Sequence, residues 1–380
     1  MLSSERARGI FYQFLLLAAV FGLGWYLVGN TLHNLSTRQI QVGFEFLGRE
    51  AGFEIAESQI AYAPSDSYFR AFLVGLFNTL HVALLGIVLA TVLGTLVGIA
   101  RLSSNWLMSR LASAYVETMR NIPLLLQLFV WYGLFTELMP PVRQAIELGG
   151  GIFVTQRGLY YPWPEPHAAW SAAGWALLAG AALAFAWRGH ARRVQERTGR
   201  QLPVGLVAAA LLAGLPLAAW LALGAPTQLV YPELRGFNFR GGKVLSPEFL
   251  ALLIGLSTYT AAFVAEIVRA GILAVDKGQT EAAMSLGLTR GQDLRLVTLP
   301  QALRVIIPPM TSQYLNLTKN SSLAVAIGYP DLVAVANTTM NQTGQAIEAI
   351  AILMAVYLTI SLLISLFMNW YNNRVRLVER

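Results

Sequence analysis

Residues 281–300 read EAAMSLGLTRGQDLRLVTLP, a polar island between two long apolar segments, and its local signals are explicit. Asp276, with Gln279 three residues on, can cap a short helix, and Gly287 stands where a left-handed residue would end it. Thr289 and Gln292 repeat the capping device for a second short helix, and Pro300 fits the first turn of the next, where a missing N–H costs nothing. The segment therefore predicts a bent helix-turn-helix at a membrane surface. The plainer alternative is a capped amphipathic helix in an ordinary connecting loop.

The rest of the chain supplies the membrane. Hydrophobic residues make up 56% and charged residues 12% of the sequence, with a mean hydropathy of +0.54. Soluble domains carry about 25% charged residues, so the chain is an integral membrane protein. It has no cysteine, which excludes disulfides and thiolate metal sites, and His33, His81, His167 and His190 lack ligand spacing. The net charge of +7 follows from topology and is no argument for nucleic acid. Residues 11–28 are long and lack a small-residue cleavage site, which predicts an uncleaved anchor.

Windows long enough to span, about 20 residues each, fall near 10–30, 70–100, 115–138, 170–187, 203–224, 248–274, 301–328 and 346–370. The expected fold is thus all-α, with about eight transmembrane helices. Lys and Arg concentrate in the connections that lie on one side if both termini are cytoplasmic. These include Arg188, Arg192, Arg193, Arg197 and Arg200, then Lys277, Arg290 and Arg295, then Arg374, Arg376 and Arg380. The positive-inside rule then places 281–300 in the cytoplasm. The loop 31–69 mixes carboxylates with Phe44, Phe46 and Phe53, enough for a short surface helix or a solvated connector. Gly94 and Gly98 form a GxxxG pair that suits close helix packing.

Several polar groups lie within the apolar windows. Glu117 and Arg120 precede Pro123, and Glu266 and Arg269 sit at i, i+3 in the sixth window, where unpaired charge is costly. Each pair reads equally as a structural ion pair or as part of an inner gate. In the seventh window Pro308 and Pro309 should interrupt the helix, bringing Asn316, Thr318, Lys319, Asn320, Ser321 and Ser322 to membrane depth. Polar irregular backbone survives there only if buried or lining a watery cavity. A broken helix can also aim a half-helix N-terminus at a substrate carboxylate. An interfacial helix end with ordinary caps is the plainer reading. Residues 236–243 faintly resemble a phosphate loop, but the spacing is wrong by one residue.

The segment 281–300 resembles the signature loop of ABC-importer permeases: Glu281, Ala282 and Ala283, Gly287 four residues later, then Val297, Leu299 and Pro300, with valine where isoleucine is usual. Two more runs, Glu117, Arg120, Pro123, Leu124 and Gln127, and Ala-Glu-Ile-Val-Arg around Glu266, are similar to the polar-amino-acid branch of histidine, glutamate and glutamine permeases. So is Lys319 to Leu323. The resemblance covers about 70–138 and 248–380. It implies a type I importer core in which Glu281, Ala282, Ala283, Gly287, Leu299 and Pro300 form a coupling helix against a separate ATPase, with 316–322 in the substrate path.

The expected organisation is an N-terminal helix and outer loop over 1–69, core segments over 70–138 and 248–380 with the coupling loop at 275–300, and an inserted helical hairpin with two outer loops over 139–247. That insertion and the extra first helix resemble the larger permease subunit of general or acidic L-amino-acid systems. The implied partners are a second, homologous but non-identical permease, two ATP-binding subunits, a periplasmic amino-acid-binding protein and the bilayer, with no nucleic acid. No cofactor is expected in this chain, and ATP and Mg belong to the partner ATPase. The implied location is the bacterial inner membrane. The rivals are an ion-coupled secondary transporter using Glu266, Arg269 or Lys319, and an ABC permease for another small solute. The first would show matched internal repeats, and only one interruption is visible. No nucleophile, base and orienter come together to suggest a membrane enzyme.

Overall fold

A computed structural model describes residues 5–37 and 43–375. Arg376 and Arg380, used in the orientation argument, lie outside the described residues. In chain order the helices begin with α1 (Glu5–Thr37), α2 (Tyr68–Ala100), α3 (Trp106–Asn121) and α4 (Leu124–Gly133). Short strands β1 (Ile146–Gly149), β2 (Ile152–Thr155), β3 (Gly158–Tyr161) and β4 (Trp163–Pro164) follow. After them come α5 (Ala168–Thr198), α6 (Val204–Ala209) and α7 (Leu215–Ala222). Strands β5 (Leu229–Val230), β6 (Glu233–Arg235), β7 (Asn238–Arg240) and β8 (Lys243–Leu245) lead into α8 (Pro247–Leu273). The chain ends with α9 (Lys277–Ser285), α10 (Arg290–Asp293), α11 (Leu299–Asn320), α12 (Leu332–Thr343) and α13 (Ala346–Val375).

Among the described residues six helices are long and apolar enough to cross a membrane, and two bent pairs bring the number to as many as eight. One pair is α3 and α4, which meet at 106° across Ile122 and Pro123. The third apolar window is therefore two helices. Proline disfavours helical backbone in the residue before it, and Ile122 is extended (φ −97°, ψ 128°).

The chain divides into two compact units, 1–132 with 251–380, and 133–250. In the first, α2 lies directly on α8. A Cβ on Gly94 would stand 2.6 Å from Val264 Cβ and 2.7 Å from the Ala261 carbonyl oxygen, and one on Gly98 would stand 2.7 Å from the Ala265 oxygen. The GxxxG pair is thus a helix contact that any side chain would push apart. The segment before α2 is no free connector: Phe46 is fully buried against Tyr68, Phe72 and Leu332. At its start the Gly43 N–H donates to Glu348 Oε1 at 2.8 Å.

In the second unit α5 packs along α6 and α7. The stretches that composition suggests are loops instead form small antiparallel sheets, in the order β1-β2-β3-β8, with β4-β5 and β6-β7 as separate pairs. Strands this short are hidden from periodicity because three or four residues hold barely two alternations. Phe239 of β7 stacks on Phe153 at 4.7 Å and lies 4.9 Å from Tyr160, so the β6-β7 hairpin is fixed to the larger sheet. Burial pushes the Tyr160 phenol above its ordinary pKa, opposed by its hydrogen bond with Asn238 and by the Arg157 charge. It stays a neutral donor, with its O–H 2.8 Å from Asn238 Oδ1.

Candidate functional site

The segment between α8 and α11 folds as its local signals dictate. Asp276 Oδ1 accepts from the Gly278 N–H at 2.6 Å and caps α9. Gln279 does not close a capping box; its Oε1 instead accepts from Gln301 Nε2 at 3.2 Å, linking α9 to the start of α11. Gly287 is left-handed (φ +80°). Around it the Gly287 N–H donates to the Met284 oxygen at 2.9 Å and the Leu288 N–H to the Ala283 oxygen at 3.2 Å, which satisfies the carbonyls at the end of α9. Thr289 and Gln292 form the reciprocal capping box of α10.

A π-helical turn, Leu294–Thr298, then joins α10 to α11 without a loop, and Pro300 occupies the first turn of α11. Thr298 Oγ1 donates to the buried Asp293 carboxylate across this turn at 3.3 Å. The result is a stiff bent finger. Glu281 and Ala282 face outward, whereas Ala283 is buried and belongs to the packing of the finger itself. Leu286 is 82% exposed, and Leu294, Leu296 and Leu299 are exposed too. Apolar side chains at the tip of a polar, capped finger are what a groove in another subunit would cover.

Behind the finger, charges gather near the end of α8. Glu266 Oε1 accepts from Arg269 Nη1 at 3.1 Å, and Oε2 accepts from Nη1 of Arg101, whose side chain is only 11% exposed. Arg101 Nε also reaches Ser113 Oγ at 3.3 Å, so one carboxylate ties the end of α2 and the face of α3 to α8. The pair of Glu117 with Arg120 does not form. Arg120 instead places its guanidinium 5.2 Å from the Phe263 ring centroid, and Glu117 is exposed without an ion pair among the described residues. Even at an exposed site a cation over a ring gains about 0.5–1 kcal/mol, as much as an exposed i, i+3 ion pair or more. Arg101 is the residue that sequence reasoning missed; its only signal was a charge at the end of a GxxxG helix.

The seventh window departs from expectation. Pro308 and Pro309 do not break the helix: α11 runs through both to Asn320, with both prolines exposed. Proline's fixed φ suits a helix, and the loss is confined to the two donors that would have served the Arg304 and Val305 carbonyls. The change of geometry comes later, where a 3-10 helix, Ser321–Ile327, and a left-handed Gly328 (φ +81°) lead to α12. Nor does the α12 N-terminus stand open to an anion. Asp331 Oδ1 accepts from Ala334 N–H at 2.8 Å, and Thr79 Oγ1 accepts from Leu332 N–H at 3.1 Å.

The polar residues of this stretch divide by face. Thr318 and Ser321 are buried, their hydroxyls returned to the backbone oxygens of Tyr314 and Thr318. Ser322 Oγ donates to the Lys319 oxygen. Asn316 and Lys319 are exposed and Asn320 half-buried, three residues that share one helical face at spacings of three and four. Lys319 forms no ion pair among the described residues. A cation on an apolar span faces water or a partner and avoids lipid. A cavity of about 360 Å³ lies elsewhere, between α2, α8, α11 and α13. Its polar lining is limited to hydroxyls such as the Thr91 and Tyr314 pair at 2.9 Å, which offers no partner to the charges of an amino acid.

Six to eight helices able to cross a bilayer, with a stiff capped finger between two of them, fit a multi-pass membrane permease. The family model described as "Binding-protein-dependent transport system inner membrane component" matches residues 219–377. The general L-amino acid transport system permease protein AapQ of Rhizobium johnstonii is 48% identical over 98% of this chain and 93% of its own length. The glutamate/glutamine/aspartate/asparagine transport system permease protein BztB of Rhodobacter capsulatus is 42% identical over 100% of this chain and 96% of its own. A crystal structure of an amino acid ABC transporter with histidines aligns over 81% of this chain and 95% of that chain, at 22% identity and a TM-score of 0.47. The chain belongs to the permease subunits of amino-acid ABC importers. It is a transport component, and ATP hydrolysis falls to a separate subunit.

Proposed function

We propose that this permease imports glutamate, glutamine, aspartate and asparagine, or a wider polar range, with both termini cytoplasmic and 277–298 seated in a groove of the ATPase. The observation that carries the coupling role is the capped finger with Leu286 at its tip. Its two ends continue into α8 and α11, so a force on the tip moves both helices together. Glu266 passes the motion of α8 to α2 and α3 through Arg101. The Asn316, Lys319 and Asn320 face lies about 30 Å along α11 from Leu299 at 1.5 Å per residue. It is the proposed substrate path, with Thr318, Ser321 and Ser322 supporting the backbone behind it.

Lys319 suits a substrate carboxylate, and the neutral amide of Asn320 favours uncharged or acidic side chains over strongly cationic ones. ATP and Mg act on the partner ATPase, closing it and drawing the finger, and transport requires that the path hold substrate more tightly in one state than in the other. A homologous, non-identical permease, two ATP-binding subunits and a periplasmic amino-acid-binding protein complete the assembly in the bacterial inner membrane. The test is uptake of labelled glutamate, glutamine and arginine into vesicles holding the whole complex, with ATP or an ion gradient as the sole energy source. ATP-dependent uptake that survives an ionophore, with arginine weakest, is the expected result. Uptake driven by the gradient alone would overturn the reading.

A further inference from the structure

The β-sheet unit between α4 and α5 and before α8 carries a surface that the transport cycle, as described above, does not use. At its tip the sequence Arg235-Gly236-Phe237-Asn238 makes a two-residue hairpin turn between β6 and β7, with Gly236 at φ +69° in the first central position. That geometry throws Phe237 outward, leaving it 75% exposed, while its neighbour Phe239 is buried in the sheet. The ring is not loose. The Arg143 guanidinium sits 4.8 Å from its centroid, and Arg157 Nη1 donates to the Phe237 carbonyl oxygen at 3.5 Å.

Beneath the ring is a recess of about 290 Å³, lined by Arg143, Gln144, Gln156, Arg157 and Phe237 over the buried Val142. Neither Arg143 nor Arg157 forms an ion pair among the described residues. The nearby Arg235 differs, being held by Glu233 at 2.8 Å. The recess thus presents two unneutralised guanidiniums, two amides and an aromatic edge, with no carboxylate in its lining. An exposed aromatic beside arginines on a rigid element has the composition of a protein-docking hot spot, and its charge fits an acidic partner.

We propose that this tip docks the soluble binding protein, with an aspartate or glutamate side chain of that protein entering the recess between Arg143 and Arg157 and packing against Phe237. The proposal rests on the importer reading and on the outward placement of this unit. The family's own description, binding-protein-dependent transport, supplies the kind of partner.

The complete transporter is reconstituted in two sets of vesicles, one of zwitterionic lipid only and one containing anionic lipid. ATP hydrolysis is then titrated with the soluble binding protein of the same system. Phe237→Ser and the double variant Arg143→Gln, Arg157→Gln are expected to raise the half-saturating concentration of binding protein about tenfold or more in both lipids. The unstimulated ATPase rate should stay unchanged, and Phe237→Tyr and Arg143→Lys should stay near wild type. Unaltered half-saturation in the Ser and Gln variants overturns the docking surface. A shift confined to vesicles with anionic lipid assigns the tip to lipid headgroups and overturns it equally. A wild-type complex that the binding protein fails to stimulate overturns the importer reading itself, and the docking surface with it.

Discussion

Gly287 allows the coupling role to be separated from simple bulk. Its φ of +80° is left-handed, yet a Cβ built there meets no atom within 4 Å. A substitution therefore acts through backbone strain alone, about 1–2 kcal/mol for an ordinary L-residue. Against that stand the two turn hydrogen bonds at Gly287 and Leu288, each contributing about 0.5–1.5 kcal/mol net. Alanine places the turn near balance, and the bent finger should lose a few-fold in population. Valine, β-branched, is a far worse occupant of this region. Asparagine tolerates it.

The expected order in amino acid imported per ATP hydrolysed, measured in vesicles holding the whole complex, is Gly287 and Gly287→Asn together, then Gly287→Ala, then Gly287→Val. Membrane insertion should be the same for all four. Wild-type uptake by Gly287→Val refutes the coupling argument. A series that tracks side-chain size, with asparagine worse than alanine, refutes the backbone explanation and points to a tight fit in the ATPase groove.

Gly94→Ala should destabilise the subunit by about 1–3 kcal/mol, because the added methyl meets Val264 and the Ala261 carbonyl at under 3 Å; a thermal unfolding midpoint equal to wild type in detergent would refute the contact. Glu266→Gln leaves Arg101 without its counter-charge and should cost about 1–3 kcal/mol, less than a fully buried pair because Glu266 is 32% exposed. The same midpoint measurement decides it, and an unchanged value would remove Glu266 from the framework. Lys319→Gln should raise the half-saturating concentration for glutamate more than for glutamine in vesicle uptake, and equal shifts for both would exclude a carboxylate contact there.

What could be read from the chain depended on the range of each interaction. Asp276, Gly287 and the Thr289 box are local, each satisfied within four residues, and they appear where their types predict. The apolar windows are also local sums. Arg101 is the opposite case: its partner lies 165 residues away, and nothing in its own neighbourhood announces that Glu266 has two guanidiniums to serve. The same holds for Arg120, whose ring partner Phe263 outranks a carboxylate one turn away. The prolines misled for another reason. A rule drawn from helices in water treats two missing donors as a break, whereas the helix geometry persists through both and the change falls at Ser321, where the side-chain hydroxyl turns back on Thr318.

The position of those prolines matters for how force travels. A helix resists bending through its rungs, and α11 lacks two of them in succession, at the Arg304 and Val305 carbonyls. The missing rungs divide the shaft into one half attached to the finger and another that carries Lys319. A rod of uniform stiffness would tilt at both ends at once. A rod with a compliant joint bends first near the end that is pushed and delivers its tilt to the far end late, so the finger end and the Lys319 end of α11 are free to move in succession.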